Sequence, residues 1–283
     1  MARTDSGPPA VATRDLFSPS VPRITPLAFF GLSRAKRVFQ RNVVVYRRGW
    51  KFIVSGFFEP FFYLVSIGLG LSKLVGSVHV DGHAFPYTVF VAPGLLAASA
   101  MNGAIFDCTF KIFFQLKIMK TYDSMLATPL GPRDVALGEL MWALARGTLY
   151  SGVFMCVMAG FGYVATPWVV LCLPGAVCIG FGFAGLGMAG TSYMRSWQDF
   201  DYVFLAALPL FLFSATFYPL AVYPGWLQVI VRCSPLYQGV ALLRGLDLGL
   251  FTWSLLGHAA YLLAMGAVGL RVTAKRLATL VLP

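Results

Sequence analysis

The chain has 283 residues, of which 58% are hydrophobic and 12% are charged, and its mean hydropathy is +0.74. Soluble domains carry about twice that charged fraction, so the composition excludes a water-soluble protein. The net charge of +11 is concentrated ahead of the first long apolar stretch, where ten Lys and Arg residues stand against two Asp residues. This asymmetry indicates a cytoplasmic flank facing anionic lipid and excludes a nucleic-acid site, which would need its own folded domain.

The residues ahead of the first apolar stretch divide into a tail and a helix. Residues 1–26 are polar and rich in Pro, which predicts a disordered cytoplasmic tail. Over residues 32–51, Arg side chains share one helical face and aromatic side chains the opposite one, which predicts an amphipathic helix along the inner membrane surface. Such a helix either anchors the chain or also contacts a cytoplasmic partner. The residues predicted to form this interface are Arg34, Arg37, Phe39, Arg41, Tyr46, Arg48 and Trp50.

Six apolar stretches are each long enough to cross a bilayer, which takes about 20 residues. Their order predicts an all-α integral membrane protein with six transmembrane helices and a short cytoplasmic tail at 277–283. Lys and Arg are more frequent in the loops on the side of the N-terminus, so the positive-inside rule predicts that both termini are cytoplasmic. The predicted spans cover about 52–75, 87–113, 138–164, 167–194, 202–220 and 252–272.

A polar insert at 115–135 separates the second and third spans. Its pattern predicts a short amphipathic helix that ends before Pro129 and presents an apolar knob suited to a groove in another protein. Gly131 and Pro132 then break the chain and start the next helix, whose dipole Asp134 complements. The knob consists of Met119, Tyr122, Met125 and Leu126.

Residues 221–251 are apolar but too broken to span a membrane. Pro and Gly interrupt this stretch twice, and Arg232 and Arg244 would be costly in lipid. The pattern predicts a re-entrant pair of short helices on the outer side, which survives at membrane depth only when it packs in protein or lines a cavity. The aromatic residues beside it are predicted to form a gate, and they are Phe211, Phe213, Phe217 and Tyr218.

Charged residues inside the predicted spans are expensive, and each needs a partner or a wet cavity. Asp107 lies one helical turn before Lys111, which predicts an ion pair between them near the cytoplasmic surface. Glu59 has no near partner in the sequence, so it either pairs with Arg146 or faces a polar path. The residues assigned to a transport path are Glu59, Asp107, Phe213, Phe217, Tyr218 and Trp226.

Several kinds of chemistry are not expected on this chain. The sequence contains no Walker A pattern, which argues against ATP hydrolysis by a P-loop. The glycine-rich run at 180–187 lies inside a span, where small residues favour close helix packing over nucleotide binding. The five Cys residues follow no metal spacing and are interpreted as small buried hydrophobes. His79, Asp81 and His83 would point the same way in an extended segment, but a fourth ligand is missing, so we predict no metal site.

Five motifs together carry a family resemblance. The first span contains Glu59-Pro60 and Gly68-Leu-Gly70, and the second contains Phe90-Val-Ala-Pro-Gly-Leu-Leu96. The insert reads Lys120-Thr-Tyr-Asp-Ser-Met-Leu-Ala-Thr-Pro-Leu130, and the fifth span ends in Phe217-Tyr-Pro-Leu220. With these motifs the chain resembles, over about residues 30–276, the ABC-2 type transporter permeases, and is most similar to those of nodulation lipo-oligosaccharide export and daunorubicin resistance.

The resemblance implies an ABC-2 type transmembrane domain over 27–276 that forms half of a transporter. It implies a second permease copy, in a homodimer or a related heterodimer, and two copies of a separate P-loop ATP-binding subunit. ATP and Mg would be bound by that subunit, with no cofactor on this chain. It also implies that the insert is the coupling helix, docking on the ATP-binding subunit through Met119, Lys120, Tyr122, Asp123, Met125, Leu126, Pro129 and Leu130.

The function implied by the resemblance is that of a permease, not an enzyme. It would export an amphipathic substrate (a lipo-oligosaccharide, a glycolipid or a hydrophobic drug) across a bacterial plasma (inner) membrane. Two other classes stay open. One is a proton-coupled secondary carrier, for which Glu59 would be required, and the other is a membrane-embedded lipid-modifying enzyme, in which Glu59, Asp107 and His258 would have to converge.

Overall fold

A computed structural model describes residues 31–48, 58–80 and 83–281, and this part of the chain is almost entirely helical. Its one sheet is an antiparallel hairpin of β1 (Ser77–Val80) and β2 (His83–Pro86). The tail predicted at 1–26 lies outside these residues. The helices are α1 (Gly31–Arg48), α2 (Phe58–Ser66), α3 (Ser72–Val75), α4 (Tyr87–Phe113), α5 (Thr121–Leu126), α6 (Pro132–Gly160), α7 (Cys172–Tyr193), α8 (Phe200–Leu212), α9 (Gly225–Cys233), α10 (Pro235–Asp247) and α11 (Ser254–Val281).

Four helical segments of the described residues are long and apolar enough to cross a membrane. They have 27 to 32 residues each, more than the about 20 that a bilayer requires, and the chain is a multi-pass membrane protein. These segments coincide with the second, third, fourth and sixth predicted spans. They are Tyr87–Ile118, which includes a π-helical turn after α4, Pro132–Gly160, Pro167–Tyr193, which includes a 3-10 turn before α7, and Ser254–Leu280.

The predicted fifth span, 202–220, is wrong beyond Leu212. Helix α8 has 13 residues and rises only about 20 Å. Beyond it the Ser214 hydroxyl donates to the carbonyl oxygen of Phe211 at 2.9 Å and contacts the Thr216 hydroxyl at 2.7 Å. Such local side-chain bonds compete with helix formation, and Ala215 takes a left-handed φ of 56°. Of the predicted first span, α2 and α3 cover the described part, joined by a π-helical turn.

Helix α4 lies at the centre of the fold, with most of its side chains buried, and packs against α6, α7 and α10. Helix α7 packs most extensively against α11, through glycines on both. A Cβ added to Gly185 would lie 2.6 Å from the carbonyl oxygen of Gly266, and one added to Gly269 would lie 2.4 Å from the backbone of Gly185. The packing interpretation of the 180–187 run is therefore confirmed.

Helix α1 lies against α6. A Cβ added to Gly138 would come within 2.5 Å of Val38, so this glycine lets the two helices approach closely. On the predicted aromatic face, Phe39 and Tyr46 lie beside the Trp142 ring, with centroids 6.0 and 4.9 Å apart. The side chain of Arg48 and all of Trp50 fall outside the described residues. Arg37 is exposed as predicted, whereas Arg34 and Arg41 are half-buried.

An aromatic cluster joins the beginning of α8 to the end of α4. The rings of Phe110 and Phe200 stack at 4.4 Å, and Trp197 lies 4.9 Å from Phe200. The turn before α8 is closed by Asp199, whose carboxylate accepts the backbone N–H groups of Arg195 and Ser196; these bonds lower the pKa of Asp199. The short helix α8 is thereby held along α4.

Candidate functional site

Four elements (α1, α4, α5 and α6) meet in a buried group of polar side chains, which we name the junction cluster: Arg41, Asn42, Lys111, Tyr122 and Glu139. The Lys111 ammonium contacts Glu139 Oε2 at 2.5 Å, and Asn42 donates to the same oxygen at 3.1 Å. The Lys111 and Glu139 side chains are only 13% and 3% exposed. At this depth either charge alone would be left desolvated and unpaired, so each depends on the other.

A second ion pair, between Asp107 and Arg146, lies beside the junction cluster. The predicted pair of Asp107 with Lys111 is therefore wrong, since both residues pair with α6. Helices α4 and α6 run antiparallel. Lys111, near the end of α4, therefore pairs with Glu139 of α6, and Asp107, one turn earlier in α4, pairs with Arg146, two turns later in α6. Arg146, the alternative partner considered for Glu59, is bound by Asp107. The side chain of Glu59 lies outside the described residues.

Aromatic rings cover both cations of these pairs. Lys111 Nζ lies 5.5 Å from the centre of the Tyr46 ring and 5.7 Å from that of Trp142. The Arg146 guanidinium lies 5.4 Å from Tyr46. Cation–π contacts of this kind contribute about 0.5–2 kcal/mol, more where water is excluded. Because Tyr46 belongs to α1, that helix is fastened to both ion pairs as well as to the surface of α6.

The insert forms a short helix, α5, as predicted, but its apolar knob is not presented outward. Tyr122 and Met125 are 1% and 8% exposed and pack into the chain's own core, so the predicted knob is wrong for these two residues. Lys120 takes a left-handed φ of 48° and turns the chain so that α5 contacts α6 and α11. Met119 is 69% exposed. Of the other predicted coupling residues, Lys120, Asp123 and Pro129 are exposed and Leu126 and Leu130 are half-buried.

The far end of the insert is fixed by two local contacts. Arg34 of α1 donates to the carbonyl oxygen of Pro129 at 3.2 Å. The Asp134 carboxylate accepts the backbone N–H of Gly131 at 3.0 Å, and α6 begins at Pro132. The predicted helix start is confirmed, and the far end of the insert is tied to α1 and α6.

Three atoms of the junction cluster are buried without a hydrogen-bond partner among the described residues. They are the Tyr122 hydroxyl oxygen, Glu139 Oε1 and Arg41 Nη1. Burial, followed by the charge of Glu139, raises the pKa of Tyr122, so this hydroxyl keeps its proton and can donate it to a hydrogen bond. Most buried polar groups in folded proteins are paired, so a donor and an acceptor both left unpaired in one cluster require an explanation.

A small cavity lies between α2, α4, α6 and α8. In this conformation it holds no more than about one water molecule. Its lining is apolar and aromatic with a few uncharged polar groups, which is typical of a site for an uncharged part of a ligand. The lining residues are Tyr63, Leu95, Ala98, Ser99, Asn102, Phe154 and Phe211.

The predicted aromatic gate is only partly assembled at this cavity. Phe211 lines the cavity, and Phe217 packs edge-on against it with ring centroids 5.3 Å apart. Tyr218 follows Phe217 at 6.2 Å but is exposed, as are Phe213 and Trp226. Of the residues assigned to a transport path, Phe217 is therefore the one that the structure places against the cavity lining. Asp107 belongs instead to the ion pair beside the junction cluster.

Arg244 fastens the segment after α8 to the beginning of α4. From α10 it donates to the carbonyl oxygens of Ala215 and Thr216, both at 3.0 Å, and to that of Phe90 at 3.2 Å. Its guanidinium also lies 3.8 Å from the centre of the Phe90 ring. We name this arrangement the Arg244 clamp. An arginine that would be costly in lipid is thus satisfied by three backbone oxygens, of which those of Ala215 and Thr216 lie outside a helix.

Asp247, at the end of α10 and outside the four candidate spans, is a fully buried carboxyl. Its side chain is 0% exposed, and neither oxygen makes a full hydrogen bond, although the backbone N–H of Ala165 lies near the carboxyl group. Burial raises the pKa of Asp247 to about 7. Sequence reasoning missed this residue because nothing in its local pattern distinguishes it from an exposed helix end.

Glu139 was also missed as a functional residue, although the sequence carried a signal for it. Glu139 and Arg146 are seven residues apart, so they lie two turns apart on one face of the helix. They are opposite charges within one apolar helix. Asp107 and Lys111 form a similar couple on the preceding helix. Two such couples on neighbouring antiparallel helices favour pairing between the helices over pairing within each.

The histidine hairpin gives no metal site in the described residues, where no group of three His, Cys, Asp or Glu side chains is placed to hold an ion. His79 lies opposite Ala84, and His83 lies opposite Val80. Neighbouring strand positions alternate between faces, so the two histidines are on opposite faces of the hairpin. The expectation that they point the same way is wrong, because the chain turns between them; Asp81 lies outside the described residues.

Comparison with known proteins places these features in a family. The model of the family described as ABC-2 type transporter matches residues 34–248. Nodulation protein J of Sinorhizobium fredii is 32% identical over 209 residues, which are 73% of this chain and 78% of that protein. Nodulation protein J of Rhizobium leguminosarum bv. trifolii is 32% identical over 216 residues, 75% and 80% of the two chains. The inner membrane transport permease YadH of Escherichia coli is 23% identical over 204 residues, 71% and 77%.

Proposed function

The chain belongs to the ABC-2 type transporter family and is a transport permease, and we propose that it forms the membrane half of an ATP-driven exporter. In this proposal it pairs with a second permease copy and with two P-loop ATP-binding subunits, which bind ATP and Mg. The Escherichia coli relative is named as an inner membrane transport permease, which supports a bacterial inner-membrane location. The uncharged aromatic cavity supports an amphipathic cargo such as a lipo-oligosaccharide, a glycolipid or a hydrophobic drug.

The observation that carries the proposal is the two-sided character of the insert. Tyr122 and Met125 of α5 are buried against the membrane helices, whereas Met119 and Lys120, just before α5, and Asp123 on it are exposed. A solvated loop without a partner would not need such anchorage. A segment that receives a push from another protein and passes it to α4 and α6 needs both a free face and a fixed one.

The proposed topology has six spans, with α2–α3 and α8 belonging to the first and fifth. Both termini and the insert would be cytoplasmic, and α9 and α10 would form the re-entrant hairpin on the outer side. Exposed aromatic rings near the hairpin support this placement. Trp168 and Phe251 lie 5.4 Å apart, Trp253 is exposed beside them, and such rings concentrate at membrane–water interfaces.

In the proposed cycle, ATP binding draws two insert helices together and moves α2, α4 and α8. Cargo would leave along a path between the two permease copies. Phe211 and Phe217, together with the Arg244 clamp, would then have to separate from α4 at the outer end. This order of events follows from the contacts above, since the cavity lies between the moving helices and Phe217 packs against its lining.

The contacts of the described residues favour neither of the other two function classes. A proton-coupled carrier needs carboxyls free to titrate along a path, but Asp107 and Glu139 are engaged with Arg146 and Lys111. A lipid-modifying enzyme needs convergent polar groups, but Asp107 faces Arg146 while the His258 ring contacts the Gln238 side chain of α10. These residues serve different parts of the fold.

The exporter proposal is tested by co-purification of the full chain in mild detergent from cells that produce it naturally. The test variant is Met119→Asp/Lys120→Glu, which changes only the exposed side of the insert. The matched control is Arg195→Glu, an exposed charge reversal predicted on the same membrane side. A P-loop ATPase that co-purifies with the unaltered chain and the control, but not with the double variant, would support both the function and the docking surface. Failure of any such ATPase to accompany the unaltered chain would overturn the proposal.

A further inference from the structure

The junction cluster contains a donor and an acceptor that this conformation leaves unused. Glu139 Oε2 accepts from both Lys111 and Asn42, so Oε1 of the same carboxylate keeps its lone pairs free. The Tyr122 hydroxyl, on the insert, is buried and also unpaired. Both side chains are buried, and α5, which carries Tyr122, contacts α6, which carries Glu139.

The Tyr122 hydroxyl has no role in the packing described above. The ring fills the core beside α6, and Phe would fill the same space. A buried hydroxyl without a partner destabilises the state in which it is unpaired, because its desolvation is not compensated. A hydroxyl that costs stability in one state is explained if it forms its bond in another.

The insert has the geometry to change its position. Helix α5 is only six residues long, and it is bounded by the left-handed Lys120 on one side and by the non-helical Gly131 before α6 on the other. Its outer side is free to bind another protein. A small rotation of α5 would move Tyr122 relative to α6 without moving Glu139, which Lys111 and Asn42 hold in place.

We propose that Tyr122 is a positioning residue for transport, whose hydroxyl donates to the free oxygen of Glu139 in the state that forms when the ATP-binding subunit moves the insert. The proposal rests on the exporter function proposed above. In the present conformation the bond is open, and in the ATP-bound conformation it is closed. The bond therefore stabilises the ATP-bound conformation over the present one.

The test uses the full transporter, chain and ATP-binding subunit together, in proteoliposomes. A reporter cysteine replaces Ser99 in the cavity lining, and the three native cysteines that are not buried, Cys156, Cys178 and Cys233, are changed to Ser. The rate of maleimide labelling is measured with and without ATP plus vanadate. Tyr122→Phe is compared with Tyr193→Phe, which removes an exposed hydroxyl at the end of α7. Thermal unfolding of each variant is measured in parallel.

Tyr122→Phe is expected to unfold at the same temperature as the parent or a higher one. Its ATP-dependent change in labelling is expected to fall roughly three- to tenfold, the effect of one lost hydrogen bond on a two-state equilibrium. Tyr193→Phe should leave both unchanged. A purely structural hydroxyl, including one bridged by water in the present state, would instead lower the unfolding temperature of Tyr122→Phe, and that result would overturn the proposal. An undiminished labelling change would also overturn it.

Failure of the exporter function has a different signature. If ATP produced no labelling change in the parent reporter chain, or if no ATP-binding subunit assembled with it, the exporter proposal would fall and the role of Tyr122 with it. A labelling change in the parent that persists in Tyr122→Phe removes only the role of Tyr122. The two failures are read from different samples and cannot be confused.

Discussion

The two ends of α4 are held in different ways. At the junction cluster, Lys111 and Glu139 join regular helices through a buried ion pair. About 30 Å along the same helix, at Phe90, the Arg244 clamp holds carbonyl oxygens of a segment that has left helical geometry. The first contact links helix to helix, and the second links a helix to a turn.

This difference suggests different mechanical roles for the two ends. An ion pair between helices cannot open without leaving a desolvated charge, so Lys111 and Glu139 should move as one unit. The turn at Ala215 can change its φ and ψ angles and give up the Arg244 bonds one at a time. We therefore expect the insert end to transmit movement and the hairpin end to yield to it.

The largest effect should come from opening the ion pair of the junction cluster. Glu139→Ala leaves Lys111 buried and unpaired, and we expect it to lower the free energy of unfolding by about 3–5 kcal/mol. The double variant Lys111→Met/Glu139→Leu removes both charges and should recover most of that loss. Thermal unfolding in detergent measures both. If the double variant were as unstable as Glu139→Ala, packing would matter more than the charge pair at this end.

A smaller loss is expected at the hairpin end. Arg244→Met removes three donated hydrogen bonds and the contact with the Phe90 ring, and we expect a loss of about 2–4 kcal/mol. Arg244→Lys keeps the charge but lacks the planar fork that reaches two carbonyl oxygens at once, so it should lose nearly as much. Limited proteolysis should then cut within 213–223. Full stability in Arg244→Lys would show that charge alone holds the turn.

The hairpin end should also respond to pH, through Asp247. Folding raises the pKa of this carboxyl to about 7, above the roughly 3.9 of an unfolded Asp, so the folded protein binds the proton more tightly. Stability should therefore fall as the pH rises from about 4 to about 7, by at most about 4 kcal/mol in all, and should fall no further above that range.

Asp247→Asn cannot ionise and should unfold at nearly the same temperature at pH 5 and pH 8. The control is Asp201→Asn, an exposed carboxyl on α8, which should keep the pH dependence of the parent chain. Thermal unfolding of the parent chain and both variants at the two pH values tests whether Asp247 causes the pH dependence. An equal pH dependence in Asp247→Asn and in the parent would assign the effect to other groups.

The sequence predicted much of the helical framework because its signals are local. The length of the apolar stretches correctly predicted four membrane-spanning helices, and Pro132 with Asp134 correctly predicted the start of α6. The sequence could not predict whether the apolar face of the insert points outward or inward. Tyr122 and Met125 form the same apolar face whether they contact a partner protein or the chain's own core. The ion-pair partners were wrongly predicted although opposite charges on both helices signalled them: Asp107 lies one turn from Lys111, yet each pairs with a residue of α6 that is distant in sequence.

The smallest predicted effect on stability concerns the residues with a strained backbone at the two ends of α4. The described residues contain two non-glycine residues with positive φ, Lys120 at 48° and Ala215 at 56°, one at each end of α4. Glycine adopts this conformation more easily, so Lys120→Gly, whose side chain is exposed, should raise the free energy of unfolding by about 1 kcal/mol. Ala215→Gly relieves the same strain but deletes a buried methyl group, a loss of about 1 kcal/mol, and should be close to neutral. Thermal unfolding of the two variants side by side measures the difference. A gain at Ala215 and none at Lys120 would mean that the turn at the hairpin end, rather than the corner of the insert, stores the strain, and the assignment of yielding and transmitting ends would have to be reversed.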